Sequence, residues 1–305
     1  MRKLLRYFVG LILLGAGIGW WLSAPNHLSE EELSAVTKHA ADPDRGQRMF
    51  LIGGCASCHA AKDAKDEQRL LLTGGRKFPT EFGTFVAPNI SPDTTHGIGN
   101  WTIDQFANAM LRGVAPDGSH YYPAFPYTSY ARMKPGDIAD LWAYMRTLPA
   151  SDRANDPHDV GFPFNIRRGL GLWKLAFAPD ADSPVVTVSS EDELLGQYLV
   201  EGPGHCGECH TPRGMFGRLD QSRWMGGAPN PEGKGRIPNI TSGGKDTSGW
   251  SAGDIAEYLK SGFTPDYDTA GGSMVDVIEN TSRLSDQDRR AIAHYLKAVP
   301  KIEGD

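Results

Sequence analysis

Two short runs hold all four cysteines of the 305-residue chain: Cys55-Ala56-Ser57-Cys58-His59 and Cys206-Gly207-Glu208-Cys209-His210. They begin 151 residues apart, and other marks repeat at almost the same interval. Pro88-Asn89-Ile90 returns as Pro238-Asn239-Ile240, Trp101 as Trp250, Gly113 as Gly262 and Tyr144 as Tyr295. Self-similarity at a fixed offset means two successive units of one architecture, the drift of a residue or two marking small insertions. No cysteine is left over for a structural disulfide or a nucleophile.

Two thiols followed at once by an imidazole form the attachment signature of c-type haem. Thiols one helical turn apart reach the two vinyl groups on one edge of the ring, and the next residue aims its imidazole at the iron. A thioredoxin-like redox pair needs a βαβ setting, which the chain lacks. A zinc site would bring its two CxxC pairs within about 15–20 residues of each other. Two haem c groups are therefore expected, held by Cys55, Cys58 and His59 and by Cys206, Cys209 and His210. The repeated Pro88 and Pro238 are placed to offer a backbone carbonyl to the second N–H of each histidine, which fixes the ring and raises its basicity.

Helix signals dominate both units. Asp42-Pro43 starts a helix that runs through Gly46 and Phe50 to Gly53-Gly54, and its partner starts near Ser190, with Glu191 and Glu193 in the first turn. Middle helices are expected over 102–112 and 251–261, each stopped by a glycine. Last helices are expected over 135–148 and 285–299, the second opening on a capping-box-like Ser285 and Asp288. Apart from a possible short strand at Val185–Val188, the chain reads as all-α. Residues 42–149 and 190–301 form the two domains. Residues 150–189 form a segment too apolar to be a free linker, expected to pack across both.

The N-terminus carries Arg2, Lys3 and Arg6, then an uncharged run from Tyr7 to Leu22. Sixteen residues are short for a span and slightly long for a signal peptide's apolar core. Ser23-Ala24 followed by Pro25 is a poor cleavage site, so residues 1–24 read as an uncleaved signal anchor, the alternative being a cleaved signal peptide and a soluble product. Trp20 and Trp21 would lie at the outer interface of the inner (cytoplasmic) membrane, with the basic end inside and the haem units on the periplasmic side. Residues 25–41 read as a spacer. The net charge of −6 argues against nucleic acid as a partner. An acidic surface could steer a basic partner.

The second axial ligands are less even. Met274 follows Gly271-Gly272-Ser273, a poor place for a core side chain, and a thioether there would complete a His/Met iron. The matching position in unit one is Phe125, which cannot bind metal. Met133, eight residues on, is the best substitute, although it matches Leu284, where an apolar residue staples a helix start. His120 and Met110 are further candidates, as is a first iron with no second ligand.

Pro88-Asn89-Ile90-Ser91-Pro92-Asp93, His96-Gly97-Ile98-Gly99, Tyr122-Pro123-Ala124-Phe125-Pro126-Tyr127, Phe162-Pro163-Phe164-Asn165-Ile166-Arg167 and Cys209-His210-Thr211-Pro212-Arg213 together resemble the multihaem cytochrome c subunits of membrane-bound bacterial alcohol, gluconate, sorbitol or aldehyde dehydrogenases. The resemblance covers about residues 43–300. It implies two tandem class I-like cytochrome c domains and electron transfer. Electrons would come from a dehydrogenase catalytic subunit of molybdopterin, flavin or PQQ type and pass to quinone, a terminal oxidase or a soluble cytochrome. It departs from the family in having two haems rather than three, and Phe125 where many relatives have Met; relatives with the same Phe carry a later Met, as at Met133. The other function class is a dihaem enzyme, thiosulfate dehydrogenase-like or peroxidase-like, reacting at an open first haem. The sequence shows no phosphate-binding loop or nucleophile triad, and His39, His120 and His158 are scattered.

Overall fold

A computed structural model gives the fold and describes every residue except 232, 234 and 305. The first helix, α1 (Arg2–Leu22), buries none of its residues and is long and apolar enough to cross a membrane. Unit one then contains α2 (Glu30–Thr37), α3 (Pro43–Ile52), α4 (Cys55–His59), an antiparallel hairpin of β1 (Lys77–Thr80) and β2 (Gly83–Val86), α5 (Ile103–Arg112), α6 (Tyr127–Tyr130) and α7 (Pro135–Met145). A connecting helix, α8 (Gly169–Phe177), leads to unit two. That unit has α9 (Glu191–Glu201), α10 (Gly207–His210), the short pair β3 (Ala228–Pro229) and β4 (Arg236–Ile237), α11 (Ala252–Ser261), α12 (Met274–Thr281) and α13 (Asp286–Ala298).

Local chemistry explains these boundaries. Asp42 caps α3, accepting from the amide of Asp44 at 2.8 Å, with Pro43 in the first helical position. Thr102 and Ser251 close capping boxes at the starts of α5 and α11. Those helices end at Gly113 (φ 59°) and Gly262 (φ 77°), left-handed stops that glycine adopts without a Cβ penalty. In each unit the first and last helices cross backbone against backbone. A Cβ on Gly46 would lie 2.0 Å from the Asp140 carbonyl oxygen, and one on Gly196 would lie 1.9 Å from that of Ala291. These glycines let α3 meet α7 and α9 meet α13, burying Phe50 and Leu141 in one core and Leu199 and Tyr295 in the other.

The two units meet through matching contacts. Arg48 on α3 grips Asp288 at the start of α13 with two hydrogen bonds of 2.7 and 2.9 Å. At the equivalent place on α9, the Tyr198 hydroxyl donates to Asp137 at the start of α7. A pseudo-two-fold thus relates the units, and each first helix reaches the other unit's last helix.

Four expectations change. Val185–Val188 is not a strand: the amides of Val185 and Val186 donate to the buried Glu201 carboxylate, while the strands among the described residues are the two small hairpins. Residues 25–41 are not merely a spacer. They include α2, with a Ser29–Glu32 capping box, and bury Leu28 and Val36 against unit one. Met274 is the first residue of a helix rather than part of a loop. Asp288 is capped by Ser285 but returns no side-chain bond to it, its carboxylate being held by Arg48.

Candidate haem sites

The segment after α3 turns sharply at Gly54 (φ 56°), and the one after α9 turns at His205 (φ 40°). Each turn starts the short helix that carries its Cys-x-x-Cys-His run, α4 and α10. None of the four cysteines forms a disulfide. Burial pushes the thiols of Cys55 and Cys206 up to about 12. A redox-active CxxC pair has the opposite property, a lowered thiol pKa, so the setting does not suit dithiol exchange.

Both histidines are anchored in the same way. His59 Nδ1 donates to the Pro88 carbonyl at 2.8 Å, and His210 Nδ1 to the Pro238 carbonyl at 2.8 Å. With Nδ1 carrying the proton, Nε2 is left with a lone pair for a metal. Burial lowers the basicity of both rings against the pull of those carbonyls, which favours the neutral, metal-binding form. The residues therefore fit a covalently attached iron porphyrin in each unit.

The asparagine of each Pro-Asn-Ile run, which sequence reasoning passed over, holds this carbonyl in place. Asn89 Nδ2 donates to the carbonyls of Ser151 and Arg153, and its Oδ1 accepts from the amide of Ser91. Asn239 repeats the pattern with Ile302, Gly304 and Thr241. Each clamps the chain beyond the last helix onto the proline loop. The recurrence of Asn in both runs was the signal. On the other side, the amides of Gly74 and Gly227 donate to the carbonyls of His59 and His210 at 2.7 and 2.8 Å. Both glycines have positive φ, and a Cβ would strike the proline loop at 2.4 Å and 2.8 Å respectively.

The methionines and His120 fall in different settings. Met274 is half-buried at the first position of α12. Met133 is 4% exposed in the turn between α6 and α7, its amide on the Tyr130 carbonyl at 2.8 Å. Leu284 takes the same turn before α13, with its amide 3.1 Å from Thr281. Met110 lies in the core face of α5. His120 is buried, but its Nε2 donates to the Ser23 carbonyl at 3.0 Å, tying unit one to the end of α1. His39 bonds Asp140, and His158 accepts from the Val86 amide. In place of a ligand, Phe125 joins an aromatic cluster with Tyr121, Tyr127 and Tyr130 at centroid distances of 5.5, 6.4 and 5.6 Å.

The two motifs also touch each other's units. Ser57, inside the first motif, accepts from Asn280 Nδ2 on α12 at 2.8 Å. Glu208, at the matching place in the second motif, accepts from Thr128 and Ser129 on α6, both at 3.1 Å. His205 Nε2 donates to the Gly53 carbonyl at 3.2 Å, and its ring stands edge-on to Tyr130. Asp276 of α12 pairs with Arg69 and Arg76 of unit one. No sequence period announces such contacts between units.

With this geometry in hand, comparison with known proteins is informative. The profile of the Cytochrome c family matches residues 43–149 and again 195–300. The chain is 56% identical over 306 residues to the "Diheme cytochrome c-type" protein of Cereibacter sphaeroides, covering 99% of this chain and 100% of that one. It is 37% identical over 273 residues to the fructose dehydrogenase cytochrome subunit of Gluconobacter japonicus, covering 88% of this chain and 55% of that subunit. It is 36% identical over 266 residues to the gluconate 2-dehydrogenase cytochrome c subunit of Pantoea cypripedii, covering 84% and 59%. The chain thus spans a little over half the length of these dehydrogenase subunits. It belongs to the cytochrome c family. Within that family it is a dihaem cytochrome with two covalently bound haem c groups, and its chemistry is electron transfer.

Proposed function

We propose that the chain is the membrane-anchored electron-transfer partner of a dehydrogenase, accepting electrons from a periplasmic catalytic subunit of flavin, molybdopterin or PQQ type and delivering them to the respiratory chain. The observation that carries this reading is the reciprocal seating of the two haem-bearing turns. Ser57 rests on α12 and Glu208 on α6, while His205 bridges to Gly53. That arrangement joins the two haem-bearing turns by direct contacts, as suits a relay and not two independent carriers on a loose tether. Haem supplies reversible one-electron storage when bound. The chain's own residues do the rest. Cys55, Cys58, Cys206 and Cys209 would attach the groups, His59 and His210 would ligate the iron, and Pro88 and Pro238 orient those two rings. Met274 and Met133 are the thioethers that would supply a second ligand.

Retention of α1 is supported by the contacts of Ser23, the residue just past its end. Ser23 is buried, its carbonyl accepts from His120 and its hydroxyl from Arg168 at 2.9 Å. Cleavage after Ala24 would remove a residue on which unit one is built. The dehydrogenase partner is supported by the chain's similarity to the cytochrome subunits of fructose dehydrogenase and gluconate 2-dehydrogenase.

Mild-detergent extraction of the matured full chain from its native membrane tests the reading. The expected result is co-purification with a larger catalytic subunit whose substrate reduces both haems. Isolated chain that itself turns over thiosulfate or peroxide would replace the relay by a dihaem enzyme.

A further inference from the structure

The connecting segment exposes Phe162, Phe164, Ile166, Leu172 and Leu175, and it packs on the end of α1. Arg168 fastens the two together: Nη2 donates to the Trp20 carbonyl at 2.7 Å, and the guanidinium lies 4.4 Å from the Trp20 ring centroid. Gly171 of α8 packs so tightly on Ser23 that a Cβ would fall 2.3 Å from its carbonyl oxygen. At 1.5 Å per residue, α1 is about 30 Å long, with an uncharged run from Tyr7 to Leu22 of about 24 Å, near the thickness of the hydrocarbon layer. If α1 spans, Trp20 and therefore the start of α8 must sit at the outer headgroup level.

From that level exposed apolar side chains continue along the connecting segment and onto a loop of unit two that packs against α8. Leu175 on α8 is 65% exposed and Phe162 is 81% exposed. The loop of unit two adds Met215 at 77% and Phe216 at 55%, held to α8 by Trp173 Nε1 donating to the Phe216 carbonyl at 2.9 Å and by the Phe177–Phe216 ring contact. Arg218, exposed in the same loop, supplies a positive charge beside it. Exposed apolar side chains with a basic residue beside them suit a lipid surface.

We propose that α8, Phe162 and the Met215–Phe216 loop form a second membrane contact, dipping into the outer headgroup layer beside α1 and fixing which face of the two haem units looks toward the bilayer. The proposal rests on α1 being a retained span. The bilayer is favoured over a protein partner because the face continues from the outer end of that span.

Hydrogen exchange on the matured full chain tests it, comparing nanodiscs of phosphatidylcholine and phosphatidylglycerol with the same chain in a short-chain surfactant. The expected result is exchange on the order of tenfold slower in nanodiscs for peptides covering 162–177 and 214–218. Leu175→Glu with Phe216→Glu, both at exposed positions, should abolish that slowing while α1 stays protected and both haems stay bound. Protected α1 with no slowing at α8 would overturn the proposal and leave the anchor standing. A mass showing α1 removed would overturn both. Slowing that appears only when a co-purified catalytic subunit is added would overturn the lipid contact in favour of a protein-docking face.

Discussion

The two units share a skeleton and differ in the attachment turns, in the candidate second ligand and at the contacts between helices. Gly46 and Gly196, Pro88 and Pro238, Asn89 and Asn239, and Gly113 and Gly262 repeat because each sits where backbone meets backbone or where a carbonyl must be held. The differences fall elsewhere. Unit one has Phe125 where unit two has Met274, Gly54 where it has His205, Ser57 where it has Glu208 and Asp140 where it has Ala291. The repeat has kept what positions the proximal histidine and varied the candidate second ligand, one residue of each helix crossing and the contacts between units. Two sites on one scaffold thereby acquire unlike surroundings, the basis for unlike potentials.

The sharpest way to break this comparison is to remove the thioethers one at a time. Met274→Ala should abolish one methionine-to-iron charge-transfer band in the near infrared and lower one potential on the order of 100 mV, within the roughly 0.8 V that axial ligands command. In unit one the informative change is Met133→Leu, because Leu284 shows that the same turn accepts leucine without loss of packing. If Met133 binds iron, the remaining band disappears while the melting temperature barely moves. An unchanged spectrum would return Met133 to the core and leave the first iron without a methionine.

Much of this was legible in the sequence, for identifiable reasons. The attachment runs, the proline carbonyls and the starts and stops of α3, α5, α9 and α11 depend on residues within a turn or two of each other, so spacing reveals them. Ser29 and Glu32 carried a capping signal for α2 that a spacer reading overlooked. Val185–Val188 misled because β-branched residues also suit an extended segment pinned to a buried acid. What was not legible joins distant positions. Arg48 with Asp288, Asn280 with Ser57 and His120 with Ser23 are separated by scores to hundreds of residues, and no period or motif links them.

The boundary between units gives the next test, smaller in effect. Asp288 is buried, and Arg48→Ala would leave its carboxylate without its cation, at a cost of about 3 kcal/mol. The matching contact removes only a hydroxyl: Tyr198→Phe should cost about 1.5 kcal/mol, the loss of one hydrogen bond to a charged group. Urea unfolding monitored by haem absorbance would rank them. Equal costs would show that the pseudo-two-fold is one of shape and not of energetics.

Asp140 gives the smallest effect and the one set by pH. Burial alone would raise its pKa, but hydrogen bonds from Arg45, the Asp42 amide and His39 outweigh it and hold the carboxyl below its ordinary value. A carboxylate so depressed stabilises the fold fully above its unfolded value of about 3.9, and that contribution fades as pH falls through the lower folded value. Unit two has Ala291 in the same helix crossing and no such contribution there. Asp140→Ala should therefore melt a few degrees lower than wild type at pH 6, at a cost of roughly 1 kcal/mol. The gap should narrow as the pH is taken below about 4. A gap that stays constant down to pH 3 would mean that the Arg45–Asp140 pair contributes packing rather than charge, and that the two crossings are held by the same force after all.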